Sequence, residues 1–238
     1  MNNISNSQRN HILEALPSDD FERIVPHLEL VSLHAGDALL EVGDKLRHVY
    51  FPVTATVSLL CNLEDGASVE VASVGNEGIV GVSIFMGNDG ALTQATVQTD
   101  GSGYRLSAKV LKEEFERGEA LQHFLMRYTR TLFIQMAQTT ACNRRHSVEQ
   151  QLCRWLLLNF DRLHTNTLET TQESISHMLG VRRESVTEAA RRLQSAGMIN
   201  YHRKHIEVAD RSALEAHVCE CYSVVRKESE RFFSELHV

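Results

Sequence analysis

The chain has 238 residues, 42% of them hydrophobic, and a formal net charge of −7. That length and apolar content suit a folded protein of two domains and exclude a disordered one. No run approaches the roughly 20 apolar residues of a membrane-spanning helix, and the polar start MNNISNSQRN lacks a secretory signal's basic and apolar regions, so a cytoplasmic protein with no membrane partner is expected.

Residues 7–29 place apolar side chains at helical spacing, with Ser18 available as a cap before Phe21, Ile24 and Val25, which predicts two short leading helices. From Leu30 to Leu106 the texture changes to short Val-, Thr- and Ile-rich runs punctuated by glycine pairs such as Gly36-Asp37, Gly43-Asp44 and Gly75-Asn76. Strands separated by turns every roughly 8–12 residues predict an antiparallel sandwich or barrel. The clearest hairpin signal is Asp65-Gly66 between two β-prone runs.

Ser107 is placed to cap a short helix, and Gly118 interrupts before a much longer one. Along it Leu121, Leu125, Tyr128, Leu132, Gln135, Thr139, Cys142 and His146 step by alternating fours and threes. That spacing keeps one stripe facing a neighbour, as in a coiled coil, so these residues are the expected homodimer seam. A helix packed on its own β-domain would show the same stripe.

The most specific signal lies at residues 170–208. Thr170 stands three residues before Glu173, a capping-box spacing, and Ile175, Met178 and Leu179 form the apolar face of a short helix that Gly180 ends. After the turn, Val186, Ala189, Ala190 and Leu193 point inward, while Arg183, Glu184, Thr187, Glu188 and Arg191 point outward, until Gly197 closes the second helix. Two helices around a tight glycine turn are a helix-turn-helix, with a polar face able to enter a major groove. The segment MINYHRKHIEV then predicts a two-stranded wing with a basic turn at His202, Arg203, Lys204 and His205, suited to phosphate contact.

Charge distribution supports the same site. Residues 1–151 carry 12 Lys and Arg against 19 Asp and Glu, whereas residues 152–210 carry eight against seven. Between Gly180 and His205, Arg182, Arg183, Arg191, Arg192, Arg203 and Lys204 stand against only Glu184 and Glu188. An acidic protein thus has one basic patch, where a polyanion would sit.

The order of β-rich domain, long helix and winged helix-turn-helix, with the string TQESISHMLGVRRESVTEAARRLQSAGMINYHRKHIEV, resembles the Crp/Fnr family of bacterial transcription factors. The segments HAGDALLEVGDKLRHVYFP and SVGNEGIVGV look like that family's β-roll. The resemblance implies an α+β protein. An antiparallel β-roll of the cyclic-nucleotide-binding-like, jelly-roll kind with leading helices (1–118) is followed by a dimerisation helix (119–147), a winged helix-turn-helix (148–210) and a C-terminal helical extension (211–238). It further implies a homodimer on a pseudo-palindromic duplex, a sensor that is either responsive to a small-molecule effector or degenerate, and RNA polymerase as a partner; nothing resembles a phosphate-binding loop, a nucleophile elbow or a paired-carboxylate site, so no catalysis is expected.

Carried over residue by residue, Arg183, Glu184, Thr187 and Glu188 fill the base-reading positions, with Thr171, Arg182, Arg191, His202, Arg203 and Lys204 as further DNA contacts. Glu188 stands where the family commonly has arginine. Glu184 and Glu188 also have the spacing to pair with Arg191 and Arg192 along the helix. In the sensor, Gly81, Val82 and Ser83 occupy the phosphate-loop position, and Thr139 and Thr140 the adenine position. The loop lacks the Gly-Glu pair of cyclic AMP binders and DGALTQATVQT lacks their arginine, so cyclic AMP is not expected. An iron–sulfur centre is not expected either, because no cysteine precedes Cys61.

Five scattered cysteines, at 61, 142, 153, 219 and 221, do not resemble a disulfide framework and are expected as thiols. His217, Cys219 and Cys221, and separately Cys142 with His146, have donor chemistry for a metal or a redox pair. If 219 and 221 lie on one helix they face different sides, so packing is the expected role and no metal is assigned. The alternative to a DNA-binding regulator is a small-molecule, redox or metal-responsive module whose winged domain contacts other proteins.

Overall fold

The computed structural model describes residues 10–87, 90–163 and 165–236, so the expected helix start at 7–9 lies outside the described residues. The chain divides into two compact units. One takes in residues up to Leu59, Ser73–Phe133 and those from Glu228 on; the other comprises Leu60–Ala72 and Ile134–Lys227.

The first unit opens with α1 (His11–Glu14), α2 (Ser18–Ile24) and a 3-10 turn at Val25–His27. Asn10 caps α1 by accepting from the Ile12 N–H, and its amide donates to the carbonyls of Pro52 (3.0 Å) and Gly78 (2.8 Å). One buried side chain thereby holds the first helix against the strands. Ser18 is not a cap. Pro17 occupies that position, and no side chain satisfies the first turn of α2.

Seven strands follow: β1 (Glu29–Leu33), β2 (Ala38–Leu40), β3 (His48–Pro52), β4 (Thr56–Asn62), β5 (Ser68–Val74), β6 (Gln94–Thr99) and β7 (Gly101–Ser107). They form a three-stranded sheet, β1-β7-β3, and a four-stranded sheet, β2-β6-β4-β5. The registered pairs β1–β7, β3–β7 and β2–β6 are antiparallel, as an antiparallel β-roll requires. Alternation explains the pairing: in β3, Val49 and Phe51 are buried while His48 and Tyr50 are half-buried. Asp65-Gly66 makes the β4–β5 turn. Gly66 has φ +84°, and Asp65 Oδ1 accepts from the Ala67 N–H at 3.0 Å.

Helix α3 (Ala108–Glu116) starts after Ser107, whose side chain makes no capping bond. Gly118, at φ +77°, separates it from α4 (Ala120–Arg145). The expected dimer seam is overturned here. Leu121, Leu125, Tyr128, Leu132, Gln135, Thr139 and Cys142 are all at most 6% exposed within the single chain, so they cannot also meet a partner helix. The alternating spacing marked the stripe that faces the chain's own interior. Part of its cover comes from α9 (Glu220–Leu236), whose Phe232 ring lies 5.8 Å from that of Tyr128. Arg130 to Glu228, at 2.7 Å, flanks that contact.

The second unit contains α5 (Val148–Leu163), β8 (Thr167–Glu169), α6 (Gln172–Leu179), α7 (Arg183–Ser195), β9 (Ile199–His202), β10 (His205–Val208) and α8 (Arg211–His217). Leu152, Trp155 and Leu156 of α5 pack with Ile175, Leu179, Val186, Leu193, Ile199, Ile206 and Leu214 in one core. Each fully buried Leu, Ile or Val there contributes about 1.5–3 kcal/mol. Thr171, one residue later than expected, caps α6 by accepting from the Ser174 N–H at 3.0 Å. Gly180 closes it in the left-handed region at φ +64°, its N–H turned back to Ser176 and His177 carbonyls. Strand β8 adds a third member to the wing, giving the order β8-β10-β9. The C-terminal extension is two helices, α8 and α9, and Asp210 caps α8 by accepting from the Ala213 N–H at 2.9 Å.

Candidate nucleic-acid interface

Within the second unit, α6, α7 and the wing border one cleft of about 940 Å³. Thr171, Gln172 and Glu173 line it from the start of α6, Arg183, Thr187 and Arg191 from α7, and Tyr201, Arg203 and Lys204 from the wing. Five residues of the expected contact set besides Arg183 are therefore gathered: Thr171, Thr187, Arg191, Arg203 and Lys204. The four cations on this wall face a single carboxylate, Glu173, so the cleft presents positive charge.

Each side chain is positioned by local geometry. Arg183 is the first residue of α7, following Arg182, whose own side chain makes no capping bond. The first-turn N–H groups of α7 thus carry the positive end of the helix dipole beside Arg183. At the wing tip Arg203 adopts φ +57°, which turns β9 into β10, and the Thr170 N–H donates to the Lys204 carbonyl at 2.7 Å. That bond ties the tip to the residue preceding α6's cap. Tyr201, unremarked in the sequence, also lines the cleft, and its hydroxyl has no hydrogen-bond partner among the described residues. Burial pushes its phenol up, with Arg183 acting in the opposite sense. Alternation along a four-residue strand gives no reason to single out Tyr201 from sequence.

The remaining expected contacts lie elsewhere. Glu188 is joined to Arg192 across one helical turn at 2.5 Å, and Arg192 also faces Glu149 at 3.8 Å. The Glu188 carboxylate is thus a surface partner of arginine in the free chain, and the pairing expected with Arg192 is the one formed. Arg182, Glu184 and His202 are exposed but do not line the cleft.

In the first unit, Gly81 (φ +105°) leads into a 3-10 turn at Val82–Phe85, and Ser83 is 4% exposed. A Cβ at Gly81 would lie 2.9 Å from Leu46 Cδ2 and 3.0 Å from Val49 Cγ1, so apolar side chains fill the space inside this turn. In the second unit, Thr139 is committed to protein: its hydroxyl donates to the Gln135 carbonyl (2.9 Å) and accepts from Arg154 (3.1 Å). Thr140 is exposed, its hydroxyl donating to the Met136 carbonyl at 3.0 Å. A turn packed with aliphatic side chains, without an arginine between Gly90 and Thr99, does not fit a cyclic phosphate.

The second unit also brings together residues that the sequence left apart. Cys142 and His146 at the end of α4 meet Cys219 and Cys221 at the start of α9, with their ligand atoms all within 4.8 Å of one another. Cys219 precedes α9 rather than lying on it, so 219 and 221 do not point to different sides of one helix as expected. His217 is not among them; its Nε2 lies 2.6 Å from Glu149 Oε1. The contact with Cys219, followed by burial, holds the Cys142 thiol up, and the same contact pulls Cys219 down. Cys153, outside the cluster, is pushed up to about 12 by burial.

Two family models match the chain: the cyclic nucleotide-binding domain over residues 30–118 and the Crp-like helix-turn-helix domain over residues 150–217. No curated protein matches it. Among solved structures it is similar to FixK2 from Bradyrhizobium japonicum (TM-score 0.68, 17% identity, 81% of this chain and 98% of that one). It is likewise similar to the c-di-GMP-responsive global regulator CLP of Xanthomonas campestris (0.66, 15%, 81% and 99%). A third likeness is to a CRP-family transcriptional regulator from Thermus thermophilus (0.65, 18%, 78% and 95%). At these identities the likeness shows the fold. Among the described residues no helix is long and apolar enough to cross a membrane.

Proposed function

We propose that the chain, which matches a cyclic nucleotide-binding domain followed by a Crp-like helix-turn-helix domain, is a Crp/Fnr-type transcription regulator and forms a homodimer that reads a pseudo-palindromic duplex through α7. The observation that supports it most is the cleft between α7 and the wing, whose walls carry Arg183, Arg191, Arg203 and Lys204. A helix in the major groove puts its N-terminal residues against base edges, so Arg183 and Thr187 read sequence, Arg183 by pairing with both acceptors of a guanine. Thr171, Arg203 and Lys204 flank them as phosphate contacts that set register without reading sequence.

Pairing needs a face that the chain does not bury for itself. On α4 that face carries Met126, 56% exposed, and Phe133, 72% exposed, one heptad apart, with Thr140 a further heptad along. These residues, not the buried stripe, are the seam of the homodimer. Two copies joined there present two α7 helices to half-sites one helical turn, about 34 Å, apart. RNA polymerase is the expected partner on the promoter, in the cytoplasm, and catalysis plays no part. The effector of the β-domain is not a cyclic nucleotide.

Selection of duplexes from a random library tests this reading. Enrichment of an inverted repeat bound by two copies supports it. A purified chain that stays monomeric and enriches nothing at moderate ionic strength would overturn it.

A further inference from the structure

We propose that Cys142, His146, Cys219 and Cys221 form a tetrahedral site for a zinc-type divalent ion, with three thiolate ligands and one imidazole. The four side chains come from two stretches some 75 residues apart in sequence, with Sγ of Cys142 lying 3.6 Å from Sγ of Cys219 and Sγ of Cys221 lying 3.6 Å from Nδ1 of His146. A tetrahedral zinc ion with Zn–S of about 2.3 Å and Zn–N of about 2.0 Å has ligand edges of roughly 3.8 Å between sulfurs and roughly 3.5 Å between sulfur and nitrogen. Both measured edges already match. The remaining separations, within 4.8 Å, require the ligand atoms to close by at most about 1 Å between sulfurs and about 1.3 Å between sulfur and nitrogen.

Two features outside the four ligands fit a metal better than apolar packing. His146 turns Nδ1 toward Cys221, and its other nitrogen, Nε2, lies 3.3 Å from Glu220 Oε2. A carboxylate on the far ring nitrogen fixes the tautomer that leaves the near nitrogen free to ligate. The second feature is Arg154, 4% exposed, whose only hydrogen bond among the described residues is to Thr139 and whose Nε has no partner. No carboxylate pairs with this buried cation among the described residues. A divalent ion with three thiolates and a neutral imidazole carries one net negative charge, which Arg154 would balance. Without that charge the guanidinium is buried unpaired, an arrangement that costs several kcal/mol.

The ligand set selects the ion class, since thiolates and imidazole favour zinc over calcium or magnesium. On binding, the three thiols lose their protons to solvent as three S–metal bonds form, and no electron is transferred. With four protein ligands the site is closed, so its role is to fasten the end of α4 to the start of α9.

The test uses the full-length chain, purified reduced and without a metal-chelating tag. Elemental analysis should find about one zinc ion per chain. Cobalt(II) added to the stripped protein should give the ligand-field bands of tetrahedral cobalt together with a sulfur-to-cobalt charge-transfer band. Cys142→Ser and Cys219→Ser should each weaken that charge-transfer band and the zinc content, and Cys153→Ser should leave both intact. Because a cysteine variant could fail to fold, the wild-type protein carries the decisive measurement. A reduced wild-type chain, folded by circular dichroism, that takes up neither zinc nor tetrahedral cobalt would overturn the site. So would a cobalt spectrum unchanged in both serine variants.

Discussion

The Thr187 hydroxyl on α7 lies 2.7 Å from Gln172 Oε1 on α6 and 3.0 Å from the Arg183 carbonyl, so one proton serves two acceptors that flank the cleft. This bond links the two helices of the helix-turn-helix at their polar edge. Thr187→Val keeps the shape and removes the bond. Urea unfolding should show a loss of about 1 kcal/mol. Affinity for the selected duplex should fall severalfold with no change in the slope of log affinity against log salt, because no phosphate contact is lost. Unfolding and duplex affinity both unchanged in Thr187→Val would show that this bond does not hold the two helices in their binding arrangement.

Arg183 and Lys204 line the same cleft and should fail differently when truncated. Arg183→Ala removes a base reader at the first residue of α7. Discrimination against substitution at one base pair of each half-site should drop by about 1–3 kcal/mol. Lys204→Ala removes a phosphate contact at the wing tip, so all duplexes should be bound more weakly and the salt slope should fall by about one. Competition gel shifts over a panel of half-site variants at several salt concentrations separate the two. Identical specificity profiles for Arg183→Ala and wild type would show that α7 does not read bases at this residue.

The helix-turn-helix was legible because its signals are local. A 3.6-residue apolar period, a glycine that must adopt φ +64° and a basic wing turn all fall within 40 residues, and none depends on a distant partner. The cap of α6 falls one residue after the expected Thr170 because neighbouring Thr171 offers the same hydroxyl, and backbone angles decide between them. The seam was misread for a different reason. Alternating fours and threes identify an apolar stripe, but not whether the neighbour is a second chain or the same one, and the added helix α9 supplies Phe232 to that stripe. The cysteine cluster depends on Cys142 meeting Cys219 from 77 residues away, for which no local pattern exists.

Glu29 and Arg105 face each other across the β1–β7 ladder, their side chains joined at 2.5 Å. The hydrogen bond from Arg105, then its charge, holds the Glu29 carboxyl below its usual value of 4.5. A carboxylate with a depressed folded-state pKa contributes its stabilisation above the unfolded value, and that contribution is lost as pH falls through the folded value. Both groups are exposed, so the effect on stability should be small. The site-specific titration is the sharper measurement. By NMR, Glu29 should titrate below the exposed glutamates of the chain, and Arg105→Gln should return it to their range. A Glu29 midpoint that does not move in Arg105→Gln would dissociate the pair.

Leu125 and Phe133 lie eight residues apart on α4 with opposite environments: Leu125 is 0% exposed and Phe133 72% exposed. Phe133→Asp places a charge on the face proposed to meet a second copy, and nothing in the single chain has to move to accommodate it. The variant should therefore keep the unfolding midpoint of the isolated chain, sediment as a monomer, and lose affinity for a two-half-site duplex more than for a single half-site. Leu125→Ala instead removes buried methyl groups from the chain's own core. It should lower unfolding free energy by about 2–5 kcal/mol at constant association state. Analytical ultracentrifugation with denaturant unfolding distinguishes the two. If Leu125→Ala dissociates the protein while Phe133→Asp leaves it dimeric, the buried stripe is the true seam, and the packing of α9 against α4 in a single chain must give way when two chains pair.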